Sequence, residues 1–319
     1  MKIAASVRYL PHFRARDFAI PAVRPHLAAA ALLLACAIWG TSFLFGKIAL
    51  RAMTVSQLLL LRFSLGSLAL LPILVIRRAR VRRGDLPLLL LTGFLAVPLT
   101  FLLQFHGLAS TTVSRASLII GAGPPFMALG GMLFFGERPG WRVWMAILAS
   151  MVGILAINGS PADAGSWTGD ALVLLSILVS IIWVLMTKRI SERLGALPTT
   201  AYLMLFGTLT LAPFTLLGDG FPSLNLPGQV WLSILALGFA CTALAFALWN
   251  WGLGWFPASR AGLFLNVEPV VGVLLGVSLM HESLGPGVIL GGMLVLGAAM
   301  FITRTRAPSR VNGALLPGD

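Results

Sequence analysis

The residues able to do chemistry are few, and they stand in unusual company. Glu268 and Pro269 interrupt the apolar run "FLNVEPVVGVLLG" (264–276). A carboxylate in such a run is costly when ionised, so it must face an interior partner or carry a proton. Proline removes one backbone donor and frees a carbonyl one turn earlier. Glu268 therefore reads as an amine-binding or proton-coupling group, or as an acid that hydrogen-bonds broken backbone. A second proline break stands in "GAGPPF" (121–126), so Pro124, Pro125 and Pro269 are the expected hinge positions. Aromatic and amide side chains recur at helical spacing. Ser176, Ser180, Trp183 and Thr187 share one face,. Phe246, Trp249 and Asn250 fall together, as do Phe101 and Gln104, and Trp39 stands in a stretch that reads like that of Trp183. Rings at such positions stack on an organic solute while amides orient it. The same groups also serve helix packing, with polar atoms bonding across helices. The candidate binding set is Trp39, Phe101, Gln104, Trp183, Phe246, Trp249, Asn250 and Glu268.

Catalytic patterns are missing from the sequence. It holds no His/Glu zinc motif, no GxSxG and no Cys/His metal spacing, and Cys36 and Cys241 each lie within an apolar run,. No catalytic residue, metal or cofactor is expected, and the partner sought is a small-molecule substrate.

The elements that must position these residues follow from composition. The chain is 58% hydrophobic and 10% charged, with a mean hydropathy of +0.94. Soluble domains carry roughly a quarter charged residues, so the expected class is an all-α membrane protein whose other partner is the bilayer. A hydrocarbon core of about 30 Å needs roughly 20 helical residues to cross it. Ten spans are expected: 27–50, 55–76, 86–107, 112–135, 141–158, 170–188, 198–217, 229–251, 258–280 and 286–303. With the N-terminus in the cytoplasm, 19 of the 23 Lys and Arg residues fall on the inner side,. The net charge of +13 is thus a topology signal, and no nucleic-acid partner is expected. Both termini are placed in the cytoplasm. Lys47 and Arg62 are expected near the outer surface, snorkelling to headgroups or forming an anion-attracting gate. Glu137 and Glu282 read as turn devices. Oligomeric state is left open, and a monomer is compatible with the sequence.

The chain also repeats itself. With an offset of 145, residues 93–140 match 238–285 at 16 of 48 positions, including Gly107/Gly252, Ser114/Ser259, Arg115/Arg260, Pro124/Pro269 and Glu137/Glu282. Earlier spans pair Trp39 with Trp183 and Gly66 with Gly207 at slightly different offsets. Five spans per copy force the second copy to enter from the opposite side. The expected organisation is a tail (1–26), a first five-helix repeat (27–158), a linker (159–169), an inverted second repeat (170–303) and a second tail (304–319). Inverted repeats are the architecture of secondary transporters, with the substrate site near the midplane between the halves.

The stretches "WGTSFLFGK" (39–47), "LRFSLGSLALLPIL" (61–74), "PPFMALGGMLFFGERPGW" (124–141) and "VEPVVGVLLGVSLMHESLG" (267–285) resemble the EamA family of the drug/metabolite transporter superfamily. The resemblance covers all ten expected spans. The first repeat departs from it with Gly123-Pro124 in place of Glu-Pro, and His281 stands where glycine is usual. The resemblance implies ten helices with an inverted five-helix repeat. It implies outward transport of amino acids, other metabolites or toxic compounds across the bacterial inner membrane. The expected function is a secondary exporter of small organic metabolites by alternating access; the alternative is a flippase for a lipid-linked small molecule.

Overall fold

The computed structural model describes residues 25–77, 81–135, 141–158, 166–253, 255 and 264–303. The expected tails lie outside the described residues, except Pro25, His26 and the start of the first helix, as does most of the linker. Helices dominate because a backbone surrounded by hydrocarbon must satisfy its own hydrogen bonds. In order they are α1 (Pro25–Ala49), α2 (Val55–Ile76), α3 (Leu86–Phe94), α4 (Thr100–Ser110), α5 (Val113–Ile120), α6 (Gly123–Phe135) and α7 (Trp141–Asn158). Then come α8 (Trp167–Leu194), α9 (Ala196–Gly218), α10 (Gly228–Leu235), α11 (Ala245–Leu253), α12 (Val267–Met280) and α13 (Pro286–Thr303). Six stretches among the described residues are long and apolar enough to cross a membrane: His26–Ala49, Val55–Ile76, Arg83–Ser110, Trp167–Leu194, Ala196–Gly218 and Gly228–Leu253.

Caps mark the ends. Thr54 and Gln57 form a capping box at the start of α2,. Asp219 joins that box to the end of α9, its Oδ2 accepting from Thr54 Oγ1 at 2.9 Å and also from Ser56 Oγ. Ser166 caps α8 and Thr112 caps α5. At the end of α12, His281 takes the left-handed conformation (φ 55°) that terminates helices and favours glycine,.

Two expected elements are corrected. The span 112–135 is not one helix, because the chain turns at 121–122 and α6 begins afresh at Gly123, with Pro124 and Pro125 in its first turn. Proline is tolerated there because the first-turn N–H groups have no intrahelical partner. Likewise Glu268 and Pro269 do not lie mid-helix. They occupy the first turn of α12, after a 3₁₀ turn at Phe264–Asn266. The earlier part of that span, 258–263, lies outside the described residues.

The bundle keeps an apolar core and also turns apolar side chains outward. Large apolar side chains such as Leu68, Leu148, Leu155, Phe214, Leu217 and Leu274 face outward, while Arg62, Arg115, Asp170, Gln104, Asn250 and Glu268 are buried. Close helix approaches recur as pairs. A Cβ at Gly66 would lie 2.5 Å from the Thr242 side chain, and one at Gly207 would lie 2.5 Å from Val97. A Cβ at Gly238 would meet Leu65 and the Arg62 carbonyl; one at Gly93 would meet Phe206 and the Leu203 carbonyl. Two π-helical segments, Leu95–Leu99 and Ala236–Leu244, join α3 to α4 and α10 to α11. Helix α5 lies against α12 through small residues, with Ser117 on Gly272 and Ser114 on Gly276, and Pro269 sits close to Gly121. The two proline breaks are therefore neighbours.

Candidate functional site

The site is built on π-helical backbone. A π turn spoils the regular ladder and leaves carbonyls available. In the segment Ala236–Leu244 the carbonyl of Cys241 accepts from Trp39 Nε1 at 3.0 Å, which fixes the indole of α1 against α11. Around that anchor the expected rings come together. Trp39 lies 5.0 Å from Phe246 and 5.3 Å from Trp249, centroid to centroid. Phe246 is 6.2 Å from Trp183 and 6.4 Å from Phe101. Phe101 continues to Phe63 at 4.8 Å. Tilted and edge-on arrangements of this kind add to the area they bury. Most of the cluster is buried: Trp183 is 8% exposed and Trp249 7%, while Trp39 is half-buried.

The amides separate. Gln104 is buried on α4. Asn250 is turned away to α9, where Nδ2 donates to Thr200 Oγ1 at 2.6 Å, so it serves helix packing. On α8, Ser176 and Ser180 donate to carbonyls of their own helix, Val173 and Ile177. Trp183 Nε1 and Thr187 Oγ1, one turn apart on that face, are buried with no hydrogen-bond partner among the described residues. Glu268 is buried in the first turn of α12, with its backbone carbonyl tight against Gly40 of α1.

Arg62 corrects the sequence reading most sharply. It does not snorkel. It is 1% exposed, and its Nε donates to Thr242 Oγ1 at 2.9 Å on the π segment. The guanidinium carbon stands 4.8 Å from the Phe101 centroid, 5.2 Å from Phe63 and 5.3 Å from Phe105, a cation–π cage. Among the described residues Nη1 has no hydrogen-bond partner. Arg62 and Glu268 are both buried. They do not form an ion pair: the pairs among the described residues are Arg115–Asp170 and Arg193–Asp85. A signal for Arg62 existed in the sequence. It lies one turn before Gly66, whose missing side chain marks the packed face of α2.

Lys47 does not snorkel either. Its Nζ donates to the carbonyls of Leu108 (2.8 Å), Ala109 (3.3 Å) and Thr111 (2.6 Å), closing the C-terminus of α4. Glu282 closes the next helix from its other side, accepting from Val113 N at 2.7 Å and Ser114 N at 2.8 Å. A cation at a helix C-terminus and an anion at an N-terminus both oppose the local dipole charge. Thr111 Oγ1 and Arg115 both reach Asp170 at the start of α8. The α4–α5 corner is thus clasped from three sides, beside a shallow cleft lined by Lys47, Arg51, Met280 and Glu282. Glu137, the expected counterpart of Glu282, lies outside the described residues.

Comparison with known proteins places these features. The family model of the EamA-like transporter family matches twice, over residues 26–159 and 167–304. "Uncharacterized transporter YetK" of Bacillus subtilis is 26% identical over 310 residues, covering 92% of this chain and 93% of its own. An "Uncharacterized transporter" of Archaeoglobus fulgidus is 28% identical, covering 86% of this chain and 98% of its own. A "Probable terminal-alkyne amino-acid exporter" of Streptantibioticus cattleyicolor is 27% identical over 90% of this chain and 97% of its own. A solved crystal structure shares the fold with a TM-score of 0.64 at 20% identity, over 88% of this chain and 98% of that one.

Proposed function

The chain belongs to the EamA-like transporter family, and we propose that it is a secondary transporter that exports a small amino-acid-like metabolite by alternating access. The observation that carries this reading is the ring cluster. Trp39 and Phe101 come from the first matched range, and Trp183, Phe246 and Trp249 from the second. A site shared between two related halves is the position from which a rocking motion exposes substrate to either side. Phe101, Trp183, Phe246, Trp249 and Trp39 form its walls, with Gln104 and Glu268 as polar groups; the Asn250–Thr200 bond positions α11.

The same reading takes the chain as ten spans in two inverted five-helix repeats, 27–158 and 170–303, with both termini cytoplasmic in a bacterial inner membrane. Contacts that exchange between the halves support it. Gly66 pairs with Gly207 in the repeat, Gly238 with Gly93, and Thr242 with Val97. The contact of Gly66 with Thr242 then becomes that of Gly207 with Val97. The π segment Leu95–Leu99, moved by the 145-residue offset, falls on the end of Ala236–Leu244. The neighbouring breaks at Pro124, Pro125 and Pro269 are the hinge positions. An amino-acid-like cargo is supported by the name of the Streptantibioticus relative.

The test is counterflow of labelled amino acids in proteoliposomes, run beside a lipid-scrambling assay. Saturable exchange without scrambling supports the transporter. Scrambling without exchange moves the protein to the flippase alternative.

A further inference from the structure

Two charged side chains break the internal symmetry of the ring cluster. Glu268 corresponds to Gly123, and Arg62, four residues before the Gly66/Gly207 pair, corresponds to Leu203. Leu203 is as buried as Arg62, so the scaffold itself accepts an apolar residue at this place. A buried guanidinium is costly unless something compensates it. Here Thr242 takes Nε, three rings cover the faces, and Nη1 is left over. Trp183 Nε1, which neighbours Phe246 through its ring, is a second buried donor without a partner among the described residues. A buried donor left over calls for a ligand that carries an acceptor, and a guanidinium matches a carboxylate best. Glu268 supplies a buried carboxylate of opposite charge on α12, its backbone against Gly40 next to Trp39, and it does not close on Arg62 as an ion pair.

We propose that Arg62 is the carboxylate anchor of the substrate site. The cargo is then a small zwitterion, its carboxylate on Arg62 Nη1, its ammonium toward Glu268 and its side chain among Trp39, Phe101, Trp183, Phe246 and Trp249. This rests on the transporter reading for the site's purpose, but binding tests it separately. The buried donors also set a selectivity rule: a ligand that lacks the carboxylate leaves Arg62 uncompensated and is rejected strongly.

The experiment is isothermal titration calorimetry on the full chain in detergent micelles, with L-phenylalanine and three analogues that each lack one of its two charges: L-phenylalaninamide, phenethylamine and 3-phenylpropionate. Wild type is expected to bind L-phenylalanine at least about tenfold tighter than the amide or the amine, the weight of one charge-assisted bond. In Arg62→Gln that discrimination collapses, and in Arg62→Lys part of it returns. A purely structural role for Arg62 would change stability and leave the ranking of probes intact. If Arg62→Gln does not fold, the wild-type ranking and Arg62→Lys still decide. Equal binding of amine and amino acid, unchanged ranking in Arg62→Gln, or binding of none of the four overturns the anchor. Counterflow failing while the ranking holds would remove the transport reading and leave the anchor standing.

Discussion

The buried pair Arg115–Asp170 offers the most quantitative test of how this bundle is held. Arg115 is 2% exposed and Asp170 1%, and Arg115 Nη2 lies 2.6 Å from Asp170 Oδ2. Nε of Arg115 adds a contact at 3.2 Å, and Thr111 Oγ1 donates to the other carboxylate oxygen at 2.7 Å. Removing one member leaves the other charge buried without compensation, which costs about 3–5 kcal/mol. That amounts to roughly two to four orders of magnitude in the folding equilibrium. Asp170→Ala also strands the Thr111 hydroxyl, adding about 1 kcal/mol. Replacing both ions with apolar residues, as in Arg115→Met with Asp170→Leu, removes the uncompensated charge along with the pair. Most of the loss is then expected to return. The assay is tryptophan fluorescence across an SDS titration in mixed micelles, for wild type, both single variants and the double variant. The reasoning fails if the single variants unfold at the wild-type midpoint, or if the double variant is as unstable as the singles.

Further predictions concern the helix ends. Glu282→Ala should cost about 1–2 kcal/mol by freeing the N–H groups of Val113 and Ser114 at the start of α5,; thermal unfolding of Glu282→Ala beside Glu282→Gln measures it, with the glutamine losing less. His281→Gly should stabilise by roughly 0.5–1 kcal/mol, because the residue at φ 55° is relieved of its Cβ penalty,; an unchanged or lower midpoint would count against it. Hydrogen bonds from Ser56 and Thr54 hold the exposed Asp219 carboxyl below the usual carboxylate range. Its contribution is therefore present above the unfolded carboxylate pKa of about 3.9 and is lost as pH falls through its lower folded value. Asp219→Asn should flatten the acid limb of the stability profile.

Much of the scaffold was legible in the sequence because the bilayer imposes length and hydropathy on every crossing helix. The runs at 55–76 and 141–158 coincide with α2 and α7. The ring set was legible too, since Trp39, Phe101, Trp183, Phe246 and Trp249 stand at helical spacing on apolar segments. Hydropathy does not say which way a lone charge points. Arg62 reads as snorkelling by position, yet it turns inward because Thr242 and three phenylalanines receive it. The partners of Lys47 and Asn250 lie 61 and 50 residues away and are set by tertiary packing. The helix start beside Glu268 is hidden in the sequence for a related reason. Apolar residues continue on both sides of it, and only the fold shows that α12 begins at Val267.

The central claim is that Glu268 and the ring cluster form a transport site between two halves. Amino-acid counterflow by Glu268→Gln in proteoliposomes tests it most directly, with monodisperse elution as the check on folding. A buried carboxylate that meets the cargo is worth about one charge-assisted bond, so exchange should slow by at least about tenfold. Wild-type exchange by a folded Glu268→Gln protein would contradict the account.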